Sequence, residues 1–278
     1  MRMRAPLIAG LGAVATVAAL LTGPPAQAAV SGVTPTVPPV ARAAASGSEH
    51  PICWFDACYD YVYGRQQTDT AGASVDMLVG DPVVDPTQNG EHSLQELALQ
   101  DSAQQSTVEV GWTVDEPLNG DYLPHLFVYH WVNGQTTCYN GCGFVQVSHT
   151  ITPGMPLESY VPAEFGLRNI DGDWWVLFDN LKIGYFPGSL WGDSYTRAQL
   201  VTAFGENALN PTDLPSCTQM GNGRYGSRPR SSWIAGYRLF GTTNAPSLTV
   251  TTTSPAYYDA GQVTATSFRL GGPGKGAC

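Results

Sequence analysis

Charge is in short supply in this chain. Asp, Glu, Lys and Arg together make up 13% of its 278 residues, and 13 basic side chains face 23 acidic ones, a formal charge of −10. That balance argues against nucleic acid and against an anionic membrane as partners, since both are held by basic patches. Apolar runs long enough to span a bilayer are missing beyond the first 21 residues. No His-Glu-x-x-His occurs, and His125 and His130 stand five apart in one strand-like run, hence on opposite faces, which argues against a metallopeptidase. Gly192-Asp193-Ser194-Tyr195-Thr196 lacks the closing glycine of a nucleophile elbow. Gly221-Asn222-Gly223-Arg224-Tyr225-Gly226 has the letters of a dinucleotide fingerprint, but it lies among turn residues with no helix to follow, so we read it as coincidence. No metal and no cofactor is expected.

The apolar run that does exist, Ala5 to Leu21, follows Arg2 and Arg4 and precedes Gly23-Pro24-Pro25 and Ala26-Gln27-Ala28. A positive start, a short apolar stretch and a small-x-small site describe a secretory signal, residues 1–28, rather than an anchor. Its removal takes Arg2 and Arg4 and no acid, leaving 11 basic against 23 acidic groups, or −12. Residues 29–48, AVSGVTPTVPPVARAAASGS, show no helical or strand period and read as a flexible Pro/Ala-rich leader. The folded part is expected over 49–278, as a secreted, extracellular monomer.

Export gives the six cysteines their meaning, because an oxidising compartment favours disulfides over metal thiolates. Six allow fifteen pairings. The spacings point to two local staples, Cys53–Cys58 and Cys138–Cys142, leaving Cys217 to tether the last residue, Cys278. A zinc site is the weaker alternative, because Cys138-x3-Cys142 has no matching second pair.

Low charge with 31 Gly, 21 Pro and many aromatic residues points to an all-β globular protein. Short alternating runs such as ACYDYVYG, ASVDMLVG, STVEVGWTVD, LFVYHWV and SWIAGYRLF recur between Gly, Pro, Asn and Asp turn signals. They predict an antiparallel two-sheet β-sandwich. One short helix is expected over Asp193–Phe204, with Asp193 or Ser194 as N-cap and Gly205 as stop.

One carboxylate stands out in TVEVGW. Strand parity puts Val108, Val110, Trp112 and Val114 on the core face and Thr107, Glu109, Gly111 and Thr113 on the other. Taken alone, Glu109 is an exposed solubilising acid. If Phe127, Tyr129 and Trp131 of the neighbouring LFVYHWV run share its face, it looks into an aromatic groove able to seat a proline ring or a sugar; parity leaves open which side of that run faces the core. Glu206, in AFGEN, reads as an acid just past the helix stop. Paired with Glu109 it would give two carboxylates that resist ionising together, hence a proton donor beside a water-activating base.

In order along the chain, GASVDMLVGDPVV, HSLQELAL, TVEVGW, HLFVYHWVNGQTTCYNGCGFVQVS, DWWVLFDNLKIGYFPGSLW, AFGEN and QMGNG resemble the neprosin family of secreted glutamic endopeptidases, here in a short form. The resemblance implies a β-sandwich that cleaves after proline at acid pH with two glutamates, which fall on Glu109 and Glu206. AFGEN departs from the family's tryptophan-glycine-glycine-glutamate, and residues 29–48 are far shorter than the pro-domain of plant relatives. The resemblance also implies the Cys138–Cys142 disulfide. On this reading one glutamate takes a proton from water while the other, protonated, binds the scissile carbonyl and later protonates the leaving amine. Which is which stays open. Gln146 and Tyr129 are candidates for steadying the oxyanion. The rival readings are a carbohydrate-binding β-sandwich or glycosidase using the same aromatic groove, and a non-catalytic module.

Overall fold

The computed structural model describes residues 51–278 apart from Phe55; the expected signal and leader, residues 1–28 and 29–48, lie outside the described residues. Two eight-stranded sheets with antiparallel pairing face each other. The first runs in the order β1 (Ile52–Trp54), β2 (Ala57–Thr70), β12 (Ala198–Leu209), β4 (His92–Gln100), β5 (Thr107–Val114), β6 (His125–Val132) and β7 (Gln135–Thr136), with β14 (Thr249–Thr252) also on β2. The second runs β15 (Asp259–Gly261), β16 (Phe268–Gly271), β13 (Ser232–Phe240), β3 (Gly72–Leu78), β9 (Pro162–Ile170), β10 (Asp173–Phe178), β11 (Leu181–Phe186) and β8 (Val145–Gln146).

The parity of β5 explains how the layers meet. Val108, Val110, Trp112 and Val114 enter the inter-sheet core with Leu97 and Leu99 of β4, Leu126 and Val128 of β6, and Val75, Met77, Phe165 and Leu167 from the second sheet. Each large apolar side chain so buried contributes about 1.5–3 kcal/mol. Close approach of the sheets also fixes Gly205: a Cβ there would stand 2.5 Å from Leu270 Cδ1 and 3.1 Å from Met220 Sδ.

The expected helix over Asp193–Phe204 is not formed. Asp193 sits at φ 58° after a 3-10 turn at Gly188–Trp191, and from Ala198 the chain is strand. β12 lies between β2 and β4, with Val201 and Ala203 in the inter-sheet core and Phe204 in a second cluster on the opposite face. A strand covered on both faces is apolar in nearly every position, and that run mimics a helix stripe. Among the described residues the one short α-helix is instead α1 (Glu116–Asn119), N-capped by Asp115, whose carboxylate accepts from the Leu118 N–H at 3.1 Å, and closed by Gly120 at φ 82°. The cysteines close as Cys53–Cys58, Cys138–Cys142 and Cys217–Cys278.

Candidate active site

Directly paired strand residues point to the same face, so the register of five strands builds the site. One row across β2, β12, β4, β5 and β6 is Tyr61, Glu206, Leu94, Thr113 and His125. The next is Tyr63, Phe204, Glu96, Gly111 and Phe127, and the third is Arg65, Thr202, Ala98, Glu109 and Tyr129. Glu206, Glu96 and Glu109 therefore occupy three successive rows on three adjacent strands, with Glu96 in the middle.

This face is covered rather than open. Tyr61, Tyr63, Leu94, Ala98, Phe127, Tyr129, Trp131 and Phe204 form the second apolar cluster, with Trp54, Tyr59 and Tyr139 packed against it. Trp54 stacks on Trp131 at 6.0 Å between centroids, and Tyr139, beside the Cys138–Cys142 staple, tilts against Tyr129 at 4.8 Å. Glu109 is in consequence 7% exposed, Glu206 9% and Glu96 4%. The exposed solubilising acid and the loop acid expected from sequence are both buried strand residues, because aromatic rings from β1, β2 and the loop after β7 roof the outer face of the sheet.

Burial governs the electrostatics. It is the largest cause of a Glu109 pKa pushed up to about 8; the neighbouring Glu206 charge adds to the rise, and the Trp131 indole N–H, donating to Glu109 Oε1 at 3.0 Å, opposes it. Glu96 is pushed well above the ordinary carboxylate range by burial and then by the charges of Glu109 and Glu206. At the other end, His92 Nε2 lies 3.5 Å from Glu206 Oε1 and its Nδ1 3.7 Å from Asp115 Oδ2. Burial pulls the His92 pKa down, but its contact with Glu206 and the charges of Asp115, Glu206 and Glu91 outweigh this, and the net shift is upward. The His92–Glu206 contact is long for a hydrogen bond, and it becomes an ion pair when the His92 ring is protonated.

Of the residues singled out from sequence, Glu109, Glu206, Phe127, Tyr129 and Trp131 share this face. The Tyr129 hydroxyl accepts from the Thr137 N–H at 3.0 Å, which leaves its own proton to donate. Gln146 is not brought there: it is exposed on β8 at the edge of the second sheet, and its amide donates to the Ser148 carbonyl at 2.7 Å. Sequence reasoning missed Glu96 and His92. The signal was present, since HSLQELALQ alternates as TVEVGW does, with Leu97 and Leu99 facing the core and Leu94, Glu96 and Ala98 facing away. Among the described residues one group of possible metal donors occurs, Asp85 with Cys217 and Cys278, and both sulfurs are consumed in a disulfide.

Comparison with known proteins adds three structural likenesses and one family. Scytalido-glutamic peptidase bound to a transition-state analogue superposes over 77% of this chain and 98% of its own, with a TM-score of 0.48 and 8% identity. The carbohydrate-binding module CBM66 from Bacillus subtilis matches 58% of this chain and 88% of its own, at a TM-score of 0.30 and 8% identity. A family 16 endo-glucanase from Bacteroides ovatus matches 58% and 71%, at 0.33 and 10%. The family model named Neprosin matches residues 89–273, a span that holds Glu96, Glu109 and Glu206 and their aromatic partners on β6. The chain belongs to the neprosin family.

Proposed function

We propose that this protein is a secreted glutamic endopeptidase that hydrolyses peptide bonds on the carboxyl side of proline with Glu109 and Glu206. The observation that carries the reading is the electrostatic coupling of two buried glutamates on one face of the first sheet, in a member of the neprosin family. A pKa of about 8 keeps Glu109 protonated at acid and neutral pH, which suits it to be the proton donor. Glu206, beside a His92 ring whose pKa is raised, has a cationic partner for its carboxylate and suits the base.

In the first step Glu206 takes a proton from water as the water oxygen bonds to the scissile carbonyl carbon, and Glu109 gives its proton to the carbonyl oxygen. The product is a neutral gem-diol. In the second step the proton on Glu206 passes to the amide nitrogen, the C–N bond breaks, and one diol proton returns to Glu109. Both glutamates end as they began, and no acyl-enzyme forms. The Tyr129 hydroxyl, which accepts from the Thr137 N–H and keeps its own proton, would donate to the developing oxyanion, the role Gln146 does not reach. Tyr129, Tyr139 and Trp131 lie on the Glu109 face, and a pyrrolidine ring would rest on them once the roof formed by Trp54 and Tyr139 parts. Three disulfides with no free cysteine among the described residues support an extracellular setting.

The test is digestion of a proline-containing peptide library from acid to mildly alkaline pH, with Glu109→Gln and Glu206→Gln alongside. Cleavage after proline that both folded variants lose is the expected result. A wild type that cuts no peptide, or either folded variant cutting normally, overturns the pair.

A further inference from the structure

Glu96 is a third acid in the same face, and the two-glutamate mechanism does not use it. Its strand β4 runs between β12 and β5, with Glu206 level with Leu94 and Glu109 level with Ala98, two residues to either side of Glu96. The three-strand diagonal thus forces any path between the two reacting carboxylates over the Glu96 side chain. Gly111, level with it on β5, lets β4 come close at this row: a Cβ at Gly111 would stand 2.8 Å from both Cα and Cβ of Glu96 and closer still to the Gln95 carbonyl. A mid-strand glycine of this kind marks a close approach of two backbones, and it fixes where Glu96 leaves β4.

We propose that Glu96 is a positioning residue of this reaction, a carboxylic acid that donates its proton as a hydrogen bond between Glu109 and Glu206 and holds the two at the spacing one water needs. The proposal rests on the peptidase reading of the same site. Its chemistry follows from what surrounds it. The titratable groups around Glu96 are Glu206 and His92 towards one end, Tyr61 and Tyr63 on β2, Glu109 and Tyr129 on β5 and β6, and Tyr139 from the loop above. Arg65, on β2 one row further along the same face, is half-buried and is not among the groups that shift Glu96: burial and the charges of Glu109 and Glu206 all act against its carboxylate. Burial disfavours charge on all three acids, and the central one, facing an acid on each side, has its proton held in place by burial and by the charges of both neighbours. It is thus a donor with two acceptors, and no proton leaves it during turnover.

A neutral amide of the same shape reproduces such a donor, whereas it destroys an acid or base. Glu96→Gln is therefore expected to keep kcat within about tenfold of wild type with the same pH profile, while Glu96→Leu, equally folded by its melting curve, loses about a hundredfold in kcat with KM within about threefold. A second readout needs no activity. At about pH 9, above the Glu109 value, the infrared spectrum of the whole protein should hold a protonated-carboxyl carbonyl band that Glu96→Gln removes and Glu109→Gln leaves. Glu96→Gln as inactive as Glu109→Gln, a folded Glu96→Leu with wild-type kcat and pH profile, or a band that survives Glu96→Gln each overturns the proposal. A wild type that cleaves no peptide overturns the peptidase reading instead, and the infrared band still decides whether Glu96 holds its proton.

Discussion

The Trp131 indole N–H donates to Glu109 Oε1 at 3.0 Å, across one row of the β5–β6 ladder. The bond favours the ionised form of Glu109, and it is the one interaction of those acting on this carboxyl that lowers its pKa. Trp131→Phe keeps the ring and removes the donor, so the pKa rises further above about 8. Glu109 then holds its proton to higher pH. The alkaline limb of the kcat/KM profile is expected to move up by roughly one pH unit, the size of a hydrogen bond to a charged group. A limb that stays fixed or moves down is incompatible with Glu109 as the proton donor.

Stability should answer to the same group. In the unfolded chain a glutamate titrates near 4.5, and in the folded protein Glu109 titrates near 8. Between those values the folded state binds a proton that the unfolded state has released, so stability falls as pH rises through this window and is fully present below it. Glu109→Gln has nothing to ionise. It should match wild type near pH 4 and exceed it at about pH 8 to 9, by about 2–5 kcal/mol. Denaturant titrations of both proteins across pH check this, and equal slopes with pH would mean that Glu109 is not buried in the way described.

How much of this was legible beforehand depends on which face a residue served. The core face of β5 followed from period-two alternation in TVEVGW, because Val108, Val110 and Trp112 pack against the second sheet as that pattern requires. The roofing of the other face did not, since Trp54 and Tyr139 reach it from β1 and from a loop after β7, contacts no local period encodes. β12 was misread for a related reason: Phe204 has its own aromatic cluster, which erases the polar side of the alternation. Glu96 was readable by the rule already applied to Glu109, and its link to Gly111 needed only the β4–β5 register, which sequence does not supply.

Gly111→Ala tests that link. The added Cβ meets the Gln95 carbonyl and the Glu96 backbone, neither of which is the movable end of a side chain. The strand must shift or Glu96 must leave its place. A loss of about 3 kcal/mol in stability is expected, with peptidase activity falling further than the melting temperature explains. Wild-type stability and activity in Gly111→Ala would mean that the close approach of β4 and β5 is not required.

The disulfides are expected to contribute unequally. Cys217 and Cys278 are 61 apart in sequence and close a loop that contains β13 to β16, whereas Cys53 and Cys58 close a turn of 5. On the loop-closure argument the long bridge constrains the unfolded chain by about 4 kcal/mol and the short one by about 2 kcal/mol. The long bridge also fastens the chain end beside Met220, which bridges to Gly272 and packs against Gly205, the residue before Glu206. Replacing Cys217 and Cys278 together with serine should therefore lower both melting temperature and peptidase rate, while the Cys53/Cys58 double serine variant, which loosens the hairpin carrying Trp54, should cost less stability and show its effect in KM. Differential scanning calorimetry and steady-state kinetics on the two variants separate these outcomes, and a larger stability loss from the short bridge would refute the loop-length argument for this fold.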